Sequence, residues 1–164
     1  MGDELREKAE RKAYRLLTTR AHSEKELRGK LLKAGFSEAL VTAVIEKCRA
    51  LGYLDDALYA RQRARELAVN RLAGDRRIAL DLAERGIDGE LARAAIAEVR
   101  EEFSEEEALD RLFRKKTKGM DPAALDERQR ASLARGLAGK GFPTALIMRQ
   151  LKRTEDGFHG DDGE

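Results

Sequence analysis

Three stretches of the chain share one order of polar and apolar positions: a glycine, an apolar residue, a short turn or capping residue, then apolar residues at helical spacing. They are KAGFSEALVTAVIEK (Lys33 to Lys47), ERGIDGELARAAIAEV (Glu84 to Val99) and GKGFPTALIMRQLK (Gly139 to Lys152). Gly35, Gly86 and Gly141 mark the same point in each, 51 and 55 residues apart, so the chain contains an internal repeat.

Apolar periodicity divides each repeat into three helices. In the first, Leu5, Ala9, Ala13, Leu16 and Leu17 form one stripe, and Ser23 with Glu26 supplies a capping box for a second helix carrying Leu27, Leu31 and Leu32. Gly35 stops that helix and Ser37 caps a third, whose stripe runs Leu40, Val41, Val44, Ile45, Cys48 and Leu51. The segment LGYLDD follows, with Gly52 as a stop and Asp55 placed to cap the next helix. That helix is predicted to be long, from Ala57 to Leu72, with apolar residues over more than half its circumference, as suits an element packed on two sides. After a break at AGD, one helix carries Ile78 and Leu82 and the next, capped by Asp88, carries Leu91, Ile96 and Val99. The third repeat opens on a second capping box, Ser104 with Glu107, before Ala108, Leu109, Leu112 and Phe113. It is interrupted at KTKGMDP, then continues through Leu133 and Leu137, the Gly141 turn, and Leu146, Ile147 and Leu151. The expected organisation is all-α: three-helix repeats over residues 1–52, 53–102 and 103–154, nine helices in all, then an acidic tail over 155–164.

Composition agrees with that class. Charged residues are 39% of the chain and aromatics 5%, a balance that signals disorder unless the apolar positions are periodic, which here they are. A repeat of about 50 residues buries a thin core alone, so the repeats are expected to support one another. The tail EDGFHGDDGE has three glycines and no apolar period, and is expected to be disordered. It also carries five acids and no base, so the net charge of +2 leaves the rest of the chain seven charges positive. The single cysteine, Cys48, lies on an apolar helix face, where a buried thiol is expected. No apolar run is long enough for a membrane helix and the N-terminus lacks a secretory signal, so a cytoplasmic protein that touches no membrane is expected.

The candidate chemistry is sparse. His22 precedes a capping serine and His159 falls in the acidic tail, and neither has a metal-ligand pattern around it. No C-x-x-C, H-x-x-x-H or phosphate-loop motif occurs, and Asp55 with Asp56 reads as a helix cap before it reads as a catalytic carboxylate pair. The expectation is no enzyme, no metal and no cofactor.

Helix, glycine turn and helix is also the order of a helix-turn-helix DNA reader. Here the helices after the turns begin Ser37-Glu38-Ala39, Asp88-Gly89-Glu90 and Pro143-Thr144-Ala145, so Glu38 and Glu90 would meet phosphates with the wrong sign. The turns are therefore read as packing devices. Basic charge gathers elsewhere: Arg61, Arg63, Arg65, Arg71, Arg76 and Arg77; then Arg111, Arg114, Lys115, Lys116 and Lys118; and more thinly Arg128, Arg130, Arg135 and Lys140. Any one of these clusters can be a solvated helix face. The predominance of arginine in the first favours an acidic or phosphate-bearing partner, for which the candidate residues are Arg61, Arg65, Arg71, Arg76, Arg77, Arg114, Lys115, Lys116, Lys118, Arg128 and Arg130.

RAHSEKELRGKLLKAGF, then GYLDDALYA, then GDRRIALDLAERGID together resemble the RecX family, over about residues 10–153. The most specific piece is Gly52-Tyr53-Leu54-Asp55-Asp56 with Tyr59-Ala60, followed by Gly74, Arg77, Ile78, Leu82 and Gly86-Ile87. Two departures stand out: Arg63, where many relatives carry an aromatic, and Pro143, where a serine or aspartate cap is usual. The resemblance implies tandem three-helix repeats in an elongated, curved molecule. It also implies a partner, the RecA filament on single-stranded DNA, in whose groove relatives bind and restrain ATP hydrolysis, strand exchange and LexA cleavage. A monomer is expected. Two other classes stay open: a nonspecific nucleic-acid-binding repeat protein, against which the scarcity of stacking aromatics counts, and a helical scaffold for another partner.

Overall fold

The computed structural model describes residues 2–156. Among these residues there are nine α-helices and no strand: α1 Gly2–Thr19, α2 Glu24–Lys33, α3 Glu38–Ala50, α4 Asp56–Arg65, α5 Asp75–Glu84, α6 Gly89–Glu102, α7 Glu105–Lys116, α8 Glu127–Gly139 and α9 Thr144–Glu155. The acidic tail expected from residue 155 lies outside the described residues from 157 onward, and Glu155 itself still belongs to α9.

The described residues form two compact units, 2–63 with 81–95, and 64–80 with 96–156. In the first, α1, α2 and α3 pack around Leu27, Leu31, Val41, Val44 and Ile45, all fully buried. Ala9 and Ala13 present almost no side chain, which lets α1 approach its neighbours closely, and both are fully buried. Two positions of the predicted stripes turn outward: Leu5 is 51% exposed and Leu51 50%. Leu5 lies in the first turn of α1 and Leu51 just past the end of α3. In the second unit α7, α8 and α9 enclose Leu109, Phe113, Leu137, Phe142 and Ile147, with Val69 and Leu72 packed against that core.

The marker glycines end their helices in one hydrogen-bonded form. The amides of Gly35, Gly86 and Gly141 donate to Leu32, Ala83 and Ala138, each at 3.0 Å. The next amides, of Phe36, Ile87 and Phe142, reach back to Leu31, Leu82 and Leu137 at 3.4, 3.0 and 3.4 Å. This double closure needs a left-handed residue at the glycine, and the φ angles are 100°, 78° and 94°. The sequence repeat is thus a repeat of backbone geometry.

One predicted element differs. The long helix expected from Ala57 to Leu72 stops being α-helical at Arg65 and widens into a π-turn over Glu66–Asn70, closed by the Arg71 amide on the Glu66 carbonyl at 3.2 Å. Leu72 then takes φ 53°, a left-handed conformation unusual for a branched side chain. Leu67 and Ala68 are buried within this turn. A second difference concerns caps. Ser23 with Glu26 makes the full reciprocal box, whereas Ser104 caps α7 by accepting from the Glu107 amide. Asp126 with Gln129, unmarked in the sequence reading, makes a full box at α8.

Candidate functional site

The N-terminus of α5 meets the glycine turn at the end of α8 within the second unit. The Gly74 amide donates to the Lys140 carbonyl at 2.8 Å and the Arg76 amide to the Gly141 carbonyl at 3.3 Å. Amides left unpaired at one helix start are thereby satisfied by carbonyls left unpaired at another helix end. The two backbones approach so closely that a Cβ on Gly74 would fall on the Gly141 carbonyl, and one on Gly141 would fall on the Arg77 backbone. Glycine is required at both places. Arg100 fixes the approach from the other side, its Nη2 donating to the Ala73 carbonyl at 2.8 Å and its Nε to Asp75 at 2.7 Å.

This joint gathers positive charge. Lys140 is half-buried, and burial first, then repulsion from Lys116, Arg77, Arg71 and Lys115, holds its ammonium below the usual lysine range. Lys116 extends over α8, where its Nζ would stand 3.5 Å from a Cβ at Gly136. Residues 69 positions apart in sequence, Arg71 and Lys140, therefore share one electrostatic neighbourhood, with Glu66 at its edge 3.9 Å from Arg71. Five cations held together in this way raise the local potential for any anion. Lys140 in particular gains when an anion binds, because the charge it carries at a cost is then compensated.

The remaining sequence candidates divide. Arg76 is exposed at the start of α5 beside Arg77, and Lys118 and Arg128 are exposed as well. Arg65 pairs with Glu102, both well exposed; Arg114 pairs with Asp110 at 3.1 Å; Arg130 reaches Glu155 at 3.4 Å. Arg61 is exposed on α4 in the first unit. The structure thus joins Arg71, Arg77, Lys115 and Lys116 and adds Lys140, which the sequence placed only in its thinnest cluster. The missing signal was the Gly74 and Gly141 contact, which no periodicity reports.

The distinctive GYLDD stretch has a structural use in the first unit. Gly52 ends α3 with φ 76°, Leu54 is buried, and exposed Tyr53 meets Tyr14 edge to face at 5.7 Å. Asp55 caps α4 through the Leu58 amide at 3.0 Å, as expected. Asp56 instead accepts from the Glu24 amide of α2 at 2.9 Å. There, too, a helix start meets a glycine turn: Ser23 Oγ donates to the Arg85 carbonyl at 2.7 Å and Lys25 Nζ to Glu84 at 3.2 Å. Buried Tyr59 accepts from Arg85 Nη1 at 3.0 Å, and Arg63 binds Asp81 through two bonds of 2.9 Å each. Desolvation would raise the Glu26 carboxyl, yet hydrogen bonds from Arg20, Tyr59 and the Ser23 amide outweigh it and bring it down to about 2.

Cys48 is fully buried and its thiol is pushed up by that burial. His22 is also buried, with Nδ1 3.0 Å from the Arg20 carbonyl and Nε2 2.8 Å from Lys30 Nζ, so the ring's nitrogens are engaged in packing. Among the described residues no cluster of His, Cys, Asp and Glu could hold a metal ion, and no helix is long and apolar enough to cross a membrane.

Comparison with known proteins brings these features under one heading. Residues 9–48 match the first three-helix domain of RecX and residues 55–96 the second. Regulatory protein RecX of Syntrophotalea carbinolica is 34% identical over 137 residues, 84% of this chain and 90% of the relative. That of Deinococcus radiodurans is 30% identical over 152 residues, 93% of this chain and 71% of the relative. The crystal structure of RecX from Lactobacillus salivarius superposes with a TM-score of 0.79 at 21% identity, covering 94% of this chain and 99% of that one, a likeness of fold.

Proposed function

The chain belongs to the RecX family of regulatory proteins, and from that premise we propose that it restrains the RecA recombinase by binding the RecA filament on single-stranded DNA. The observation that carries the proposal to a site is the cluster of Lys140 with Lys116, Arg77, Arg71 and Lys115. Its ligand is anionic: phosphates of the strand, or carboxylates on the RecA subunits. Binding there releases counterions and relieves the repulsion on Lys140, and by bridging subunits or strand it slows the filament's ATP hydrolysis, strand exchange and LexA cleavage. The GYLDD stretch serves as scaffold, because its polar groups are spent on caps within the first unit.

The alternative, a nonspecific nucleic-acid-binding protein, has less support. Stacking platforms give such proteins much of their affinity. Among the described aromatics only Tyr53 is exposed, and its ring is already engaged by Tyr14 in the first unit.

The test is RecA's single-strand-dependent ATP hydrolysis with the chain added. Wild type lowers the rate, and the pair Arg76→Ala with Arg77→Ala needs about tenfold more protein for the same effect, at unchanged helical content, a loss of about 1.4 kcal/mol. Inhibition by the folded double variant at the wild-type concentration would return these arginines to a solvated face. Equal affinity for naked strand and filament would favour the nonspecific reading.

A further inference from the structure

At the end of α8 opposite Lys140, the second unit carries a hollow of about 300 Å³ lined by Lys116, Met120, Gln129, Ser132 and Leu133. Buried Leu133 and the exposed Met120 side chain make up its apolar part. Gln129, Ser132, Gly136 and Lys140 follow one another along α8 at steps of three and four residues, so they share one face. About 12 Å of helix separates Ser132 from Lys140. Lys116 crosses that face between them, its Nζ 3.5 Å from where a Cβ on Gly136 would stand. One ammonium therefore borders both the hollow and the cation cluster.

The polar groups at the hollow are donors. Gln129 Oε1 is held by the Asp126 amide at 3.0 Å, which leaves the two Nε2 protons to be offered. Among the described residues neither Nε2 nor Ser132 Oγ has a protein partner, and no carboxylate pairs with Lys115, Lys116, Arg77 or Lys140. The acids of the loop before α8, Asp121 and Asp126, accept from the amides of Ala123 and Gln129. A carboxylate on a protein partner would use the cations alone. An aliphatic side chain brought into the hollow beside it would leave the Gln129 and Ser132 donors without acceptors, which is costly. A nucleotide uses every group present: a phosphate meets the cations, a ring face meets the Met120 sulfur and Leu133, and the acceptors on the base edge meet Gln129 and Ser132.

We propose that the hollow on α8 is a nucleobase subsite of the cation cluster, so that the ligand of this face is single-stranded DNA, with phosphates on Lys140, Lys115 and Arg77 and one base turned in against Met120 and Gln129. This rests on the reading of the cluster as an anion site, and it chooses the strand over carboxylates of RecA. One base held in this way fixes the register of the strand. It does not supply the succession of stacked rings on which a nonspecific binder relies.

The chain has no tryptophan, so Met120→Trp places a single reporter in the hollow and Leu5→Trp a control on α1. Both are titrated at low salt with oligo-dT, since a base stacked on the indole quenches its emission. Quenching of the first and not of the second is expected, saturating together with binding followed by anisotropy of a labelled oligonucleotide. Met120→Ala changes no charge, so it should bind oligo-dT about fivefold more weakly with the salt slope and melting curve of wild type. Gln129→Glu keeps the acceptor that its capping box needs and replaces the donor by a negative charge, and about tenfold weaker binding is expected. If Gln129→Glu fails to fold, the quenching and Met120→Ala decide. No quenching of Met120→Trp at saturation, or wild-type affinity in either folded variant, overturns the inference. RecA's single-strand-dependent ATP hydrolysis, measured with the same proteins, keeps the two readings apart. A wild-type chain that lowers that rate without binding oligo-dT assigns the cluster to RecA carboxylates and overturns the inference alone. Binding and quenching with the rate unchanged overturns the RecA reading alone.

Discussion

Asp55 and Asp56 are neighbours in the chain and cap different helices, α4 and α2. Either replaced by alanine removes one acceptor from a helix start, at a cost of about 1 kcal/mol in urea unfolding, while filament affinity stays at the wild-type value. Only the first of these roles was legible in the sequence, since a cap precedes its own helix by rule, whereas the Glu24 amide is 32 residues away. Glu105 shows a different effect of environment. Burial, then a shared hydrogen bond and repulsion from Asp75, push its carboxyl up to about 8, against partial relief from Arg100, and its Oε1 is buried without a partner. The folded chain therefore holds a proton that the unfolded chain has lost. The stability from this group is full below the ordinary value of 4.5 and declines as pH rises through about 8. Thermal melts of Glu105→Gln should match wild type near pH 4 and exceed it at pH 8; a variant no more stable than wild type at pH 8 would contradict the shift. Nothing in the string SEEE distinguishes Glu105 from Glu106, because the difference is made by Asp75 across the fold.

At the scale of elements, the glycine turns separate two requirements that the sequence shows as one. Gly35, Gly86 and Gly141 all need a left-handed backbone, and that much was readable from spacing. Gly141 also needs the absence of a side chain, because Arg77 occupies the space, and Gly74 needs it although its backbone is ordinary. Gly74→Ala and Gly141→Ala should each cost more than about 1 kcal/mol in unfolding experiments, with Gly141→Ala exceeding Gly35→Ala. Equal costs at the two turns would mean that the α5 joint contributes nothing beyond its caps. The π-turn at Glu66–Asn70 was not legible, since its apolar residues also fit a straight helix and its cause lies in the packing of Val69 and Leu72 on the second unit's core. Arg63, odd as a replacement for an aromatic, is accounted for by its two bonds to Asp81.

For the whole molecule the decisive quantity is where charge is gathered, not its sum, which is only +2. Sequence clustering put Arg65, Arg71, Arg114 and Arg130 beside Arg77 and Lys116, yet those four are matched by Glu102, Glu66, Asp110 and Glu155, Arg71 the most loosely at 3.9 Å. Lys140 enters because a helix end meets a helix start. The central claim is that this cluster meets an anionic filament, and its most direct measurement is the salt dependence of affinity for preassembled RecA filaments on single-stranded DNA, for wild type and for Lys116→Ala with Lys140→Ala. Each lost phosphate contact on a single strand removes about 0.7 from the slope of log affinity against log salt. The double variant should therefore bind more weakly at low salt with a slope shallower by about 1.4, and approach wild type at high salt. Identical slopes and affinities for the two proteins would contradict the account.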